Sequence, residues 1–403
     1  MNVLFLTLIP IIDLRVRSIY TDLLSCFEKN GHQLYIVSPI ERRVRETGSC
    51  THSGGAHYIR VKTLNIQKTN LFEKGISTLL IENLFLKGIK KYCKKIRFDL
   101  VLYSTPPITF SRIIQYIKKR DKAISYLLLK DIFPQNAVDL NMINENGLIH
   151  KYFRKQEKKL YQASDFIGCM SPANLGYILK HNPELDPGKV EVNPNSIDPI
   201  TFQFDEKGAA LTRLKFGIPA DKILFVYGGN LGKPQGIDFL LEIIDSNKKN
   251  NEAFFIIIGS GTEFLKMQRW FADNLPSNAL LLNGLPKNEY DDLLSACDVG
   301  MIFLDNRFTI PNFPSRLLSY MEYKMPVLAA TDKNTDIGTV ITENGFGYWA
   351  ESGNVSSFNN QLQKLQASKQ HRESMAEKSY SYLRENYTTE LSYSIIVNHF
   401  QDV

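Results

Sequence analysis

The sequence predicts an α/β protein made of two similar layered domains, and three observations carry that expectation. Apolar strand-like runs alternate with helix-periodic stretches along the whole chain, the pattern of parallel α/β layers. The 403 residues exceed what one ordinary core supports. The glycine turn Gly228-Gly-Asn-Leu-Gly-Lys-Pro-Gln-Gly236 joins an apolar run to an amphipathic segment, which is where open α/β sheets hold ligands.

In the first half, strands are expected near Val3–Leu8, Gln33–Val37, His57–Val61, Leu100–Tyr103, Ala123–Leu129, Phe166–Met170 and Val190–Asn193. They are short, near-continuous apolar runs, as strands buried on both faces require. Helices fall near Ser18–Asn30, Leu71–Lys95, Ile108–Lys118, Gly147–Tyr161 and Pro172–Lys180. The second half repeats the rhythm with strands at Ile223–Tyr227, Ala253–Ile258, Ala279–Leu282, Val299–Phe303, Pro326–Ala330 and Gly347–Trp349. Its helices include Ile237–Asp245, Thr262–Asn274, Glu289–Ala296 and Ser315–Tyr323. Between the halves, Asn193-Pro-Asn-Ser-Ile-Asp-Pro-Ile-Thr201 and the polar stretch to Leu214 are turn chemistry and read as the interdomain connection. Domains are therefore expected at 1–200 and 201–380, with a helix in 381–403 packing back on the first.

Composition narrows the class. Hydrophobic content of 43% with 22% charge fits a soluble globular chain. The apolar start, Met1 to Pro10, lacks a basic leader and a small-residue cleavage site, so it reads as a buried strand. No apolar run approaches a membrane span, and any membrane contact is expected to be peripheral. Cys26, Cys50, Cys93, Cys169 and Cys297 are scattered, and the seven histidines do not cluster; reduced thiols, a cytoplasmic setting and no metal are expected. Residues 1–200 carry 29 Lys+Arg against 18 Asp+Glu, and the remainder 19 against 24, so the first half is the one that faces something anionic. A pI of about 8.8 is the sole hint of nucleic acid, and no motif supports that partner.

The Gly228–Gly236 turn offers free backbone N–H groups and the positive end of a helix dipole, which suits a diphosphate. It is neither GxxxxGK[ST] nor GxGxxG, which excludes a P-loop and a dinucleotide fingerprint. A second glycine turn, Gly259-Ser-Gly261, follows the next strand.

The chain resembles the family 4 glycosyltransferases of the GT-B fold, in particular the bacterial branch of capsule and O-antigen assembly that includes N-acetyl-L-fucosamine transferases. The resemblance spans the chain. It rests on Ile19-Tyr-Thr-Asp-Leu-Leu24 with Gly31-His32; Ser104-Thr-Pro-Pro107; Lys130-Asp-Ile-Phe-Pro-Gln-Asn-Ala-Val-Asp139; Pro194-Asn-Ser-Ile-Asp198; the Gly228–Gly236 turn; and Pro314-Ser-Arg-Leu-Leu-Ser-Tyr-Met321 before Pro326-Val327. It implies two Rossmann-like domains facing each other across a cleft, the acceptor bound by the first and a nucleotide diphosphate-sugar, UDP-linked foremost, by the second. It further implies retention of anomeric configuration without a metal or other cofactor, and a lipid-linked saccharide acceptor at the cytoplasmic face of the cell membrane.

The resemblance also distributes roles. Its members neutralise the departing diphosphate with an Arg and a Lys around the glycine turn; here Asn230 and Gln235 stand near those places, with Lys233 between them. Gly229, Asn230, Lys233 and Gly259 are thus donor-binding candidates. So are Pro314, Ser315, Arg316, Leu317 and Ser319, with Ser315 a candidate helix cap and Arg316 a fork-shaped phosphate donor. The family's two glutamates, eight positions apart, fall on about Pro311 and on Ser319; Glu322 is a possible substitute, read otherwise as a surface residue. Asp131, just after the buried strand, is a candidate general base, with Lys130 beside it for the acceptor; a structural Lys-Asp ion pair is the plain alternative. Asp13, Arg15 and Arg17 stand where many relatives have a glycine turn for the diphosphate, and are acceptor-binding candidates, the arginines taking over from the turn's backbone N–H groups. Asn195 and Asp198 read as turn-formers. The basic helix around Leu84–Arg97 is a candidate contact with an anionic membrane surface or simply a solvated face. Catalysis is assigned to Asp131, Lys233 and Arg316. The alternatives are a nucleotide-sugar epimerase of the same fold and a non-catalytic scaffold subunit.

Overall fold

The computed structural model describes residues 1–66 and 71–400. It divides into two compact units, Met1–Asp198 with Thr389–Val403, and Pro199–Thr388; positions 401–403 of the expected C-terminal segment lie outside the described residues.

The first unit runs β1 (Asn2–Leu6), α1 (Ile19–Lys29), β2 (Gln33–Glu41), β3 (Ser49–Ser53), β4 (Ala56–Thr63), α2 (Leu71–Tyr92), β5 (Leu100–Ser104), α3 (Ser111–Asp121), β6 (Ile124–Leu129), α4 (Gln135–Asp139), α5 (Leu148–Ala163), β7 (Phe166–Cys169), α6 (Pro172–His181) and β8 (Val190–Val192). Its sheet order is β3-β4-β2-β1-β5-β6-β7-β8, parallel except for the β3–β4 pair. Val3 lies opposite Leu34 on one side and Leu100 on the other. Val3 and Phe5 pack with Leu24 and Phe27 of α1, all closed to solvent, each such side chain contributing about 1.5–3 kcal/mol of burial. Ser18 caps α1 by accepting the Thr21 N–H at 3.2 Å. Ile81, Phe85 and Ile89 of α2, with Cys93 just past its end, recur every four residues and are buried. Gly88 brings that helix onto β4, since a Cβ there would stand 2.6 Å from Val61.

The second unit runs α7 (Glu206–Lys215), β9 (Ile223–Asn230), α8 (Ile237–Ser246), β10 (Ala253–Ser260), α9 (Phe264–Asn274), β11 (Ala279–Leu282), α10 (Lys287–Ser295), β12 (Val299–Phe303), α11 (Arg316–Glu322), β13 (Val327–Thr331), α12 (Ile337–Glu343), β14 (Gly347–Glu351), α13 (Val355–Gln366) and α14 (Lys369–Asn386). Six parallel strands stand in the order β11-β10-β9-β12-β13-β14. Counted along the chain this is 3-2-1-4-5-6, the doubly wound order, and its reversal point lies between β9 and β12. In the first unit, β4, β2, β1, β5, β6 and β7 follow the same order. The polar stretch expected to be connection up to Leu214 instead forms α7. Asp205 accepts the Lys207 N–H at its start, and Arg213 binds the carbonyls of Ala220 and Lys222 and the Asp298 carboxylate.

The chain then recrosses. Helix α15 (Thr389–Asn398) belongs to the first unit, so the return starts at Thr389 and not at 381. Tyr393 meets Phe27 edge-on at 4.8 Å between ring centroids, and Thr389 N–H donates to the Ile197 carbonyl at 3.0 Å. Among the described residues no helix is long and apolar enough to cross a membrane.

Candidate functional site

In the second unit the glycine turn leaves β9 at the reversal point, the position where a doubly wound sheet takes its ligand. Its shape is set by backbone contacts. Leu231 N–H donates to the Ser260 carbonyl at 3.0 Å, and Glu263 N–H donates to the Leu231 carbonyl at 2.9 Å. A Cβ on Gly259 would lie 1.8 Å from the Gly229 carbonyl oxygen, so Gly259 is required by strand packing and offers no side chain to a donor. The Gln235 amide oxygen accepts from Asn230 Nδ2 at 3.1 Å and from Gly232 N–H at 3.2 Å. This amide clamp occupies the places where the resemblance puts two cations. Gly236, at φ 55°, immediately precedes α8 and, having no side chain, gives its first turn no side-chain cap; the Phe239 N–H turns back to the Gly236 carbonyl at 3.0 Å. Lys233 is exposed on this turn, and its ammonium makes no hydrogen bond or ion pair among the described residues.

Arg316 supplies the second cation. Its guanidinium carbon stands 4.2 Å from the centroid of the Tyr227 ring, close enough for a cation–π contact. Nη2 lies 3.3 Å from where a Gly229 Cβ would be, directly under the turn. Nη1 is buried and has no hydrogen-bond partner. Three tyrosines enclose this group. Tyr227 donates to the Asn230 carbonyl at 2.9 Å, and Tyr320 accepts the Gly228 N–H at 3.1 Å while donating to the Met301 carbonyl at 3.0 Å. The Tyr290 hydroxyl fills the space a Gly228 Cβ would need, 2.1 Å away. Burial pushes the Tyr290 phenol up to about 12, so it stays neutral beside the arginine. A positive fork with an unpartnered N–H beneath a glycine turn has the donor geometry and charge that an oxyanion would complement.

The other candidates around α11 divide. Ser315 is exposed but lies in a helical conformation and caps nothing. Leu317 is fully buried and its N–H is committed to the Pro314 carbonyl at 3.2 Å, which makes it a core residue. Ser319 is half-buried one turn from Arg316. Glu322 is buried rather than on the surface: it accepts the Ile200 N–H at 3.0 Å within the same unit.

In the first unit, Lys130 and Asp131 leave the carboxyl end of β6. Thr105 Oγ1 accepts both of their N–H groups at 3.0 Å and donates to the Asp131 carbonyl, which fixes the turn. No ion pair joins the two side chains. The Lys130 ammonium reaches only the Pro194 carbonyl, at 3.5 Å, and Asp131 accepts Asn136 Nδ2 at 2.7 Å. Desolvation pulls Lys130 down to about 7 and pushes Asp131 up to about 6. A carboxylate poised there, free of a cationic partner, is a competent base near neutrality.

The arginines after β1 are engaged elsewhere. Arg15 forks onto the Asp13 carboxylate, with Nη2 to Oδ2 at 2.7 Å, and this exposed pair keeps Asp13 below its ordinary range. Arg17 binds Asp22 and the Asp198 carbonyl, and Asp22 in turn accepts the Asp198 N–H at 3.1 Å. These contacts anchor the Pro194–Asp198 turn. Asn195 is buried in that turn against Met170. Among the described residues no group of three or more His, Cys, Asp or Glu is placed to hold a metal ion.

Two doubly wound parallel sheets, one in each unit, are the architecture of the GT-B fold. Residues 210–382 match the family described as glycosyl transferases group 1, so the second unit carries that domain. The Pseudomonas aeruginosa protein described as "Probable glycosyltransferase WbjE" is 23% identical over 283 residues, covering 70% of this chain and 69% of that one. Two solved structures share the fold: Anabaena HepE in complex with UDP and glucose (TM-score 0.71, 12% identity, all of both chains), and WaaG, a glycosyltransferase involved in lipopolysaccharide biosynthesis (TM-score 0.67, 14% identity, 98% of this chain and 99% of that one).

The tyrosine enclosure and the amide clamp are absent from the sequence reading. Gly228 and Gly300 are the signal that could have found the first, being glycines inside apolar strands where a ring takes the place of Cβ.

Proposed function

We propose that this chain is a retaining glycosyltransferase that moves a sugar from a UDP-sugar to a polyprenyl-diphosphate-linked saccharide, in O-antigen or capsule assembly at the cytoplasmic face of the membrane. The observation that carries the reading is the Arg316 guanidinium, held under Gly229 with its buried Nη1 unpartnered. HepE is bound to UDP and WaaG acts in lipopolysaccharide biosynthesis, which supports the donor and the setting.

In this reading the bond between the anomeric carbon and the β-phosphate oxygen breaks, and its electron pair leaves on the phosphate. Lys233 and Arg316 stabilise that developing charge, a contribution of a few kcal/mol in a preorganised site. No metal is called for. The acceptor hydroxyl attacks from the face the phosphate leaves, and Asp131 takes its proton. The second unit holds the donor and the first holds the acceptor.

A thermal-shift panel with UDP, GDP, dTDP and CMP tests the donor site. At about 100 times Kd a ligand stabilises by about 2.7 kcal/mol. A shift with UDP supports the reading, and no shift with any of the four overturns it. Product formed with an inverted anomeric centre would refute retention.

A further inference from the structure

Helix α5 begins at the same carboxyl edge of the first sheet as Lys130 and Asp131, because it follows β6 in the chain. Phe133, three residues past Lys130, packs edge-on against Phe153 of α5 at 4.9 Å. The start of α5 is unusually greasy for a surface: Leu148 is 87% exposed, Ile149 58% and Tyr152 40%, and Met142 in the preceding loop is 54% exposed. About one, two and three turns on from Leu148, the outward ridge is basic. Lys151, Lys155 and Lys159 stand four residues apart, and Lys151 and Lys155 have no ion-pair partner among the described residues. An open hollow of about 500 Å³ lies along this flank between Asn146 and α5 side chains that include Lys151, Lys155 and Lys159; at its margin Arg154 is held by Glu157 and the His181 carbonyl, and Lys158 by Glu184.

Apolar tip and basic stem on one rigid helix match the layering of a bilayer interface, with acyl chains below and phosphates above. A protein partner would need neither this order nor the clustering of cations in one hollow. The basic face of α2 fits less well, since two of its lysines are taken up by rings: Lys90 lies over Tyr116 at 4.8 Å and Lys91 over Tyr92 at 4.7 Å. We infer that the amino-terminal half of α5, with Met142, is a docking surface for an anionic bilayer. Its apolar tip enters the acyl boundary, and its lysines and hollow take the lipid phosphates. The inference deepens the proposed function, resting on an acceptor that is anchored in lipid. It places the Lys130–Asp131 edge of the first unit near the headgroups, where such an acceptor emerges.

Co-sedimentation of the full chain with vesicles tests it, comparing phosphatidylglycerol/phosphatidylcholine mixtures with phosphatidylcholine alone. The wild type should bind the anionic vesicles and not the neutral ones. Leu148→Ser with Ile149→Ser should weaken binding at least about tenfold, and Lys151→Glu with Lys155→Glu by about tenfold or more. Lys94→Glu with Lys95→Glu, on the segment after α2, should bind within about threefold of wild type. All are exposed positions, and unchanged melting curves confirm that the variants fold. Transfer to a short-chain, water-soluble acceptor should survive in the α5 variants. Wild type that ignores anionic vesicles, or α5 variants that bind like wild type, overturn the docking surface and leave the proposed reaction standing. Vesicle binding without any transfer would instead strike at the reaction alone.

Discussion

Replacing Arg316 with Met removes the guanidinium while keeping an unbranched chain of similar reach. Two terms then oppose each other in the free protein. The contact with Tyr227 at 4.2 Å is lost, worth about 2 kcal/mol in a desolvated setting. The buried, unpartnered Nη1 is removed as well, and such a donor costs about 1–3 kcal/mol. The folded state should therefore change by less than about 1 kcal/mol, a shift in apparent Tm of no more than about 4 °C. Binding of UDP has no such compensation. One charge-assisted hydrogen bond to the diphosphate contributes about 1.5–3 kcal/mol, so Kd should rise roughly 10- to 150-fold. Calorimetric titration with UDP beside a melting curve reads both quantities on one sample. A large fall in Tm with UDP affinity unchanged would refute the reasoning, because it would make Arg316 a structural residue.

Lys233→Ala should leave stability within about 0.5 kcal/mol, since the side chain is exposed and unpaired, yet lower kcat about 100-fold; unchanged steady-state kinetics would remove it from the site. In the wild type, kcat should rise with pH through about 6 as the Asp131 carboxylate forms, and Asp131→Asn should abolish that limb and cost about 10²–10⁴ in kcat; a pH profile unaltered by the substitution would demote Asp131. The lowered pKa of Lys130 has a signed consequence for stability. Between about 7 and 10.5 the unfolded chain binds more protons than the folded one, so this residue makes stability rise with pH in that window. Lys130→Met should flatten the rise in urea titrations at pH 7 and 9, and an identical slope in the variant would count against the burial of a neutral amine.

The strands were legible because parallel sheets bury both faces, leaving unmistakable runs such as Ile223–Tyr227 and Ile124–Leu129. The β3 hairpin was not, since Ser49–Ser53 is polar and largely exposed and takes its strand state from pairing with β4. Helix α7 hid for a similar reason: among its residues only Ala209 is buried, and Arg213 ties it to the Lys222 carbonyl nearby and to the Ala296 carbonyl far along the chain. At the site, Lys233 and Arg316 stood out through local signals, a glycine turn and a proline-led helix start. What encloses Arg316 is assembled from β9, α10 and α11, and no local pattern announces three tyrosines converging from 227, 290 and 320. The candidacy of Arg17 shows the converse error. Its partner carbonyl, on Asp198, lies 181 residues away, so a cation that looks available in sequence is occupied in the fold.

The recrossing at Thr389 bears on how the chain is made. A ribosome releases the first 198 residues early, but the surface of α1 that receives Tyr393 and Ile396 stays bare until the last helix has been synthesised. Residues 199–388 are contiguous and can complete their core as they emerge. The vectorial order of synthesis is thus inverted in assembly, the amino-terminal unit closing last. Termination close before Thr389 leaves an apolar stripe on α1 uncovered, and quality control would meet that product as an unfinished amino-terminal core in a chain whose second unit is complete.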